Sequence, residues 1–431
     1  MAASPVSVVL DPLRRRRWIV WWSVSAGLFL SLFHRVAPAV IADKLMVEFG
    51  VGASAVGALS AIYFYVYVAM QIPTGLLVDL LGSRRTAAAG SLVVALGALL
   101  FALAPNLPAA FAGRFLVGLG SSVAFVCLLK IVTVWFRPTE FATLAGLGSV
   151  VSTAGTAAAA TPLAAATEMF GWRAAIAVGA AANLGAAALI WRQVDDRPPG
   201  EAAGEAAPVS VRQAAAAVWR NPQTWLCFTA HFGWFGAYLT FVGLWGVPYL
   251  MHVHRFDRIG AANLMIGVSV AYTAAALGLG ILSDRWGRRK VPMIAAGAVF
   301  LAAWLVLVLW PGGRPAAAVT VPAVMIACAA AAPNLLCLAL AKESNPPEAA
   351  GLAIASANGG ILCAAVLQPL IGIALDFAWR GEVVGGARVY GPAAYQLGFA
   401  AFIVFGVVAL GAALLTRESH CRNIWPVTPP R

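Results

Sequence analysis

The chain has 431 residues, 61% of them hydrophobic and only 11% charged, and carries a formal net charge of +12. With a mean hydropathy of +0.84, this much apolar surface cannot be hidden inside a water-soluble globule, which excludes a soluble enzyme or binding domain and points to a membrane protein. The bases come in short bursts between apolar spans instead of forming one stripe, so the charge excludes a nucleic-acid partner and acts as a topology signal.

In chain order, Arg14 to Arg17 precede an apolar span of about 20 residues, the length that crosses a bilayer. Ala37-Pro38-Ala39 imitates a signal-peptidase site. The span is too long for a signal-peptide core and many more follow it, so an uncleaved first helix is expected. Further spans are expected at approximately 53–77, 87–104, 108–134, 142–165 and 173–192, then at 224–250, 259–282, 291–310, 319–341, 351–375 and 394–415. The prediction is an all-α membrane protein of twelve transmembrane helices in two six-helix halves, 1–192 and 224–431, the second with a short cytoplasmic tail. The stretch 193–223, with Pro198-Pro199-Gly200, is a cytoplasmic linker too small for an enzyme domain. The six cysteines fall in apolar spans or the final tail, so no disulfide framework is implied.

The halves are copies of one another. Gly75, Asp79 and Gly82 recur as Gly280, Asp284 and Gly287, each pair 205 residues apart, and each copy ends in a basic run. Parallel repeats of about six spans build one large transporter class, with substrate held near the midplane where the halves meet. The loops on the side of the N-terminus hold most of the bases, among them Arg84, Arg85, Arg285, Arg288, Arg289 and Lys290, whereas the alternate loops hold few. The positive-inside rule therefore puts both termini in the cytoplasm.

Three bases lie within spans: Arg35, Arg114 and Lys130. An arginine inside a span costs about 2.5–3.5 kcal/mol on insertion scales, so it usually faces protein or a wet cavity. Arg35 is a candidate substrate ligand, against snorkelling to the outer surface. Arg114 is a candidate against a structural role. Lys130 is a further candidate against snorkelling inward, and sixteen helical steps keep it off the face of Arg114 if the helix is straight. On the seventh span His231, Trp234, Tyr238 and Trp245 share a face, the first three as a candidate wall and Trp245 as part of an interface belt. Tyr63 and Tyr67 on the second span and Asn358 on the eleventh complete the candidate lining, against plain helix packing. There is no phosphate-cradling loop for ATP and no metal cluster, so no cofactor and no enzyme chemistry are expected.

The doubled glycine, leucine, aspartate, glycine and basic-run motif resembles the inner-loop signature of the major facilitator superfamily, over nearly the whole chain. The resemblance implies that Asp79 and Asp284, with Arg84, Arg85, Arg285, Arg288 and Arg289, gate the inner side, the acids meeting a neighbouring helix N-terminus when that side closes. Arg114-Phe115-Leu116-Val117-Gly118-Leu119-Gly120, Trp135-Phe136 and Gly171-Trp172-Arg173 are similar to the anion:cation symporter and sugar-phosphate permease branches. Those symporters pair an aspartate with arginine in the first helix, where this chain has His34-Arg35, and have an acid after the glycines of the fourth, where it has Ser121. His34 is therefore the candidate proton-coupling group: an anion at Arg35 would favour its protonation.

The expected function is secondary transport of a small organic anion by alternating access, with protons as the candidate coupling ion, in a bacterial inner membrane and as a monomer. The alternatives are a carrier of dipeptides or other zwitterions, a drug exporter, against which Ala160-Thr161-Pro162 weighs because it lacks the glycine-proline pattern of drug antiporters, and a non-transporting solute sensor.

Overall fold

The computed structural model describes residues 12–137, 140–198 and 211–425. The middle of the expected linker, 199–210, and the side chains of Arg14 and Asp79 lie outside the described residues. The first half comprises α1 (Pro12–Phe49), α2 (Ala53–Ala69), α3 (Gln71–Ala102), α4 (Leu107–Ser121), α5 (Ala124–Trp135), α6 (Phe141–Ala158), α7 (Thr161–Phe170) and α8 (Trp172–Gln193). After α9 (Val211–Arg220) the second half comprises α10 (Pro222–Thr240), α11 (Gly246–His254), α12 (Arg258–Trp286), α13 (Lys290–Val308), α14 (Ala317–Ala329), α15 (Asn334–Glu343), α16 (Ala350–Asn358), α17 (Leu362–Phe377) and α18 (Pro392–Leu415). A short antiparallel hairpin, β1 (Val383–Val384) and β2 (Ala387–Arg388), lies between α17 and α18. Among the described residues nine helical stretches are long and apolar enough to cross a membrane. Three further helical runs, 53–81, 141–170 and 222–254, stand where the remaining expected spans fall.

The helices start and stop where local chemistry dictates. The side chain of Asn106 accepts from the Ala109 N–H at 3.0 Å to cap α4, and Asn221 and Asp257 cap α10 and α12 in the same way. The first basic loop is shorter than the sequence suggested. α3 runs through it with a single bend at Gly82, whose φ of +81° favours glycine and whose Cα faces the Asp196 carboxylate where a Cβ would have to stand. Several spans are broken midway: at Ser122–Val123, at Ala159–Ala160, at the π-helical Phe241–Trp245, at 330–333 and at the 3-10 turn Gly359–Ile361. Irregular backbone at membrane depth is tolerated where it is buried in protein or lines a cavity, so these breaks mark the interior of the bundle.

We call the side carrying residues 82–85 and 287–290 the basic face, and the side carrying 49–53 and 254–258 the opposite face. The halves pack together through α2 against α17, α1 against α11 and the π segment, and α12 against α6 and α7. Glycines permit the closest of these approaches: a Cβ on Gly57 would stand 2.6 Å from the carbonyl oxygen of Gln368, and one on Gly372 2.5 Å from that of Ala53. Toward the basic face, among the described residues, α5, α15 and α16 make no substantial packing contact with the other half. The bundle is thus closed at the opposite face and parted at the basic face.

Candidate functional site

Arg35 lies on α1 where the halves meet. Its guanidinium is half-buried, its Nε has no hydrogen-bond partner, and it forms no ion pair among the described residues. Its charge reaches the hydroxyls of four tyrosines, Tyr63 and Tyr67 from α2, Tyr238 from α10 and Tyr272 from α12. The tyrosines are stacked in pairs, Tyr63 on Tyr67 with ring centroids 5.9 Å apart and Tyr238 on Tyr272 at 4.1 Å. Tyr272 is anchored by donating its hydroxyl to Oδ1 of Asn334 at 2.8 Å. One cation within electrostatic reach of two aromatic pairs, one pair from each half, is an arrangement that can hold an anion by charge and its organic body by ring contact.

Tyr272 is absent from the candidates read from the sequence, yet it stands 205 residues after Tyr67, so the repeat itself carried the signal. Arg114 sits one layer away, 2% exposed, donating from Nη1 to the backbone oxygen of His34 at 2.7 Å and lying 5.4 Å from the Tyr63 ring centroid. Its Nε and Nη2 have no partner. It braces α1 against α2 and α4 while remaining charged, and Gly118 on its own helix lets the backbone of Tyr63 approach closely.

Other candidates separate from this centre. His34 does not share the surroundings of Arg35: its ring packs on α8, where a Cβ on Gly179 would stand 2.9 Å from its Cε1, and Phe33 lies edge-on at 5.1 Å. Successive residues on a helix point about 100° apart, so sequence neighbours are not site neighbours. His231, by contrast, is buried beside the centre, with Nδ1 3.3 Å from the backbone oxygen of the same Asn334 that anchors Tyr272, whereas Trp234 packs into Gly297 of α13 within its own half. Trp245 is fully buried and donates to the Gln368 oxygen at 3.0 Å, instead of belonging to an interface belt. The π turn Phe241–Trp245, which ends at it, widens the helix and takes it out of the register that the offset of fourteen assumed. Asn358 is half-buried where α16 gives way to the 3-10 turn. Lys130 is exposed on α5, beyond the break at Ser122–Val123, so the straight-helix phase argument does not apply to it.

At the opposite face two clusters join the halves. Arg258, at the start of α12, is 7% exposed; its guanidinium donates to Asp43 of α1 at 2.8 Å, to Glu168 of α7 at 2.6 Å and to the Val40 backbone oxygen. Asp376, at the end of α17, accepts from the N–H groups of Ala53 and Ser54 at 3.0 and 2.8 Å and from the Tyr390 hydroxyl at 2.7 Å. The polar contacts described between the halves cluster here.

The model of the family described as Major Facilitator Superfamily matches residues 23–269. The chain belongs to the Major Facilitator Superfamily. Its apolar helical stretches make it a multi-pass membrane protein of that superfamily. An uncharacterized transporter, YybO, of Bacillus subtilis is 32% identical over 124 residues, covering 29% of this chain and 28% of that protein. A probable sulfoacetate transporter, SauU, of Cupriavidus necator is 28% identical over 292 residues, covering 63% of this chain and 66% of that protein. The matches therefore span between about a quarter and two thirds of these relatives' length. Among solved structures, a bacterial homolog of the human lysosomal transporter Spinster, inward-facing and unoccupied, superposes with a TM-score of 0.76 at 16% identity, over 96% of this chain and 99% of that one.

The superfamily's repeated basic motif is built twice with one plan. In the first copy the Arg84 N–H donates to Asp196 at 2.8 Å, its Nε donates to the Trp191 oxygen at 2.9 Å, and Arg85 is exposed. In the second the N–H groups of Arg289 and Lys290 donate to Glu418 at 2.7 and 3.0 Å, while the Arg289 side chain pairs with Glu343 and Asp284. Burial works to raise the Glu418 carboxyl, but the backbone donors outweigh it and hold it below the usual range. Asp284 is 69% exposed and paired within its own loop, not with a neighbouring helix N-terminus, as follows from a parted basic face. Arg285 and Arg288 are exposed. Asp195 and Asp196 were read as the start of a linker; instead they tie the end of α8 to Arg16 and to the Gly82 bend.

Proposed function

We propose that this superfamily member carries a small organic anion by alternating access, binding it at Arg35 between the tyrosine pairs of the two halves. The observation that supports this is the unpaired guanidinium of Arg35, in electrostatic reach of Tyr63, Tyr67, Tyr238 and Tyr272. A cation at membrane depth is costly unless paired, and no acid among the described residues pairs with it, so a bound anion would supply the missing charge. The name of the Cupriavidus relative agrees in class, since sulfoacetate is a small anion with a carboxylate and a sulfonate. By the positive-inside rule the basic face is cytoplasmic, and the parted basic face is then an inward-facing state. The test is counterflow in proteoliposomes against a panel of sulfonates, carboxylates, phosphates, dipeptides and amines. An anion should exchange in the parent, Arg35→Gln should abolish binding and exchange, and Arg35→Lys should keep a fraction of both. Equal affinity in the parent and Arg35→Gln would remove Arg35 from the site, and exchange of amines alone would overturn the anion reading.

A further inference from the structure

On the outside of the first half, at the basic face, α3 and α8 leave a trough of about 490 Å³ lined by Arg85, Ala88, Ala89, Leu92, Leu184, Ala187, Ala188, Trp191 and Arg192. We propose that this trough binds one anionic phospholipid, its phosphate held between Arg85 and Arg192 and one acyl chain lying along Ala89, Leu92, Leu184 and Ala188. The upper rim is basic and unspent: both arginines are exposed and neither has an ion pair or hydrogen bond among the described residues. The floor is apolar, and its alanines keep it low enough for a hydrocarbon chain. Trp191, 52% exposed between the two chemistries, sits as an interfacial tryptophan does, at headgroup depth, with the Arg84 guanidinium 5.1 Å from its ring centroid. Basic pockets between helices on one side of a membrane protein are recurrent sites for anionic headgroups.

The repeat gives a second, independent argument. Lys290 stands 205 residues after Arg85, but its Nζ is spent on the backbone oxygens of Leu414 and Thr416, at 2.6 and 2.9 Å. The second half therefore closes its own α13–α18 corner with protein, whereas the first half leaves the corresponding charge facing the membrane. A second hollow of about 410 Å³ adjoins the trough, lined by Gly82, Arg84, Arg85, Trp191 and Asp196 among others. It gives room for the rest of a headgroup, and the Asp196 carboxylate there is already engaged by the Arg84 N–H. A free phosphate would satisfy the arginines but leave the apolar floor bare, so the trough favours a lipid.

Native mass spectrometry of the purified full chain with phosphatidylglycerol and phosphatidylcholine of matched acyl chains tests this. The parent should prefer phosphatidylglycerol, and Arg85→Gln with Arg192→Gln should reduce that preference by about thirtyfold, from the usual strength of two bases at a membrane surface. Ala188→Trp, which fills the trough and keeps both arginines, should displace the bound lipid, and inorganic phosphate should not compete for it. An unchanged preference in the double variant, full lipid binding in Ala188→Trp, or competition by inorganic phosphate would each overturn the proposal.

Discussion

The two clusters that close the opposite face occupy equivalent places in the repeat and are made of different chemistry. Ala53 begins α2 and Arg258, 205 residues later, begins α12; each start is met by an acid from the end of a helix in the other half, Asp376 of α17 and Glu168 of α7. In the α2–α17 pair the acid caps the free N–H groups at the helix start, where the macrodipole favours a negative charge, and Gly52 and Gly372 remove the Cβ atoms that would keep the helices apart. In the α7–α12 pair a side chain does this work, and it recruits a second carboxylate, Asp43. The first latch is backbone and cannot be removed by substitution at Ala53. The second hangs on one nearly buried guanidinium.

That difference sets the order of expected effects. Arg258→Gln should be the most severe, because it leaves Asp43 and Glu168 facing each other without a cation. Removing one partner of a fully buried pair costs about 3–5 kcal/mol, and the cost here is toward the lower end because Glu168 is 47% exposed. The loss falls on the closed opposite face, so a thiol placed at Val40, 1% exposed where Arg258 meets its carbonyl across the halves, should become reactive to an impermeant reagent. Unchanged reactivity would reduce Arg258 to a bystander. Gly372→Ala comes next: its new Cβ meets the Ala53 backbone, which cannot yield as a side chain would, at a cost of about 1–3 kcal/mol. Its signature should be the same exposure at Val40 with less of it, and a wild-type profile would show that α2 and α17 have slack. Asp376→Ala removes a cap worth about 0.5–2 kcal/mol and should open the face least of the three. If it opened the face as far as Arg258→Gln, the backbone latch would be the stronger and the comparison would be reversed.

Glu418→Gln is the control, since its partners lie within one half. Its carboxyl is held below the ordinary 4.5, so its stabilising contribution is present above that value and is lost as pH falls through the lower folded value. Thermal melts of parent and variant should converge at acid pH and differ slightly near neutrality, with the opposite face closed in both. A shift in Val40 thiol reactivity would instead couple the basic loop to the gap.

How much of this was legible follows from range. The spans and the doubling are local or periodic features, and hydropathy plus one offset finds them. Arg258 was legible only as one more loop base, because its acids lie 215 and 90 residues away and nothing local shows that they converge. The same holds for Asp376, whose partners at Ala53 and Ser54 are 323 and 322 residues distant. Trp245 was expected in an interface belt but is fully buried on the Gln368 oxygen, and neither the π turn that ends at it nor the break between Arg114 and Lys130 is announced by the sequence. His34 was linked to Arg35 because related symporters carry an acid beside that arginine, but neighbours in sequence point about 100° apart on a helix and the His34 ring packs on α8. Tyr272 was within reach, one repeat beyond Tyr67.

The central claim is that the halves rock as units, so that releasing the opposite face closes the basic face on the site at Arg35. Pulsed electron resonance distances between labels at Met169 and Arg314 on the opposite face, and at Arg137 and Lys342 on the basic face, test it most directly in the parent and in Arg258→Gln. The account predicts that the first distance lengthens and the second shortens together in the variant. Lengthening at the opposite face with no change at the basic face would contradict it, since the cluster around Arg258 would then be a local clasp and not a latch on the motion of the halves.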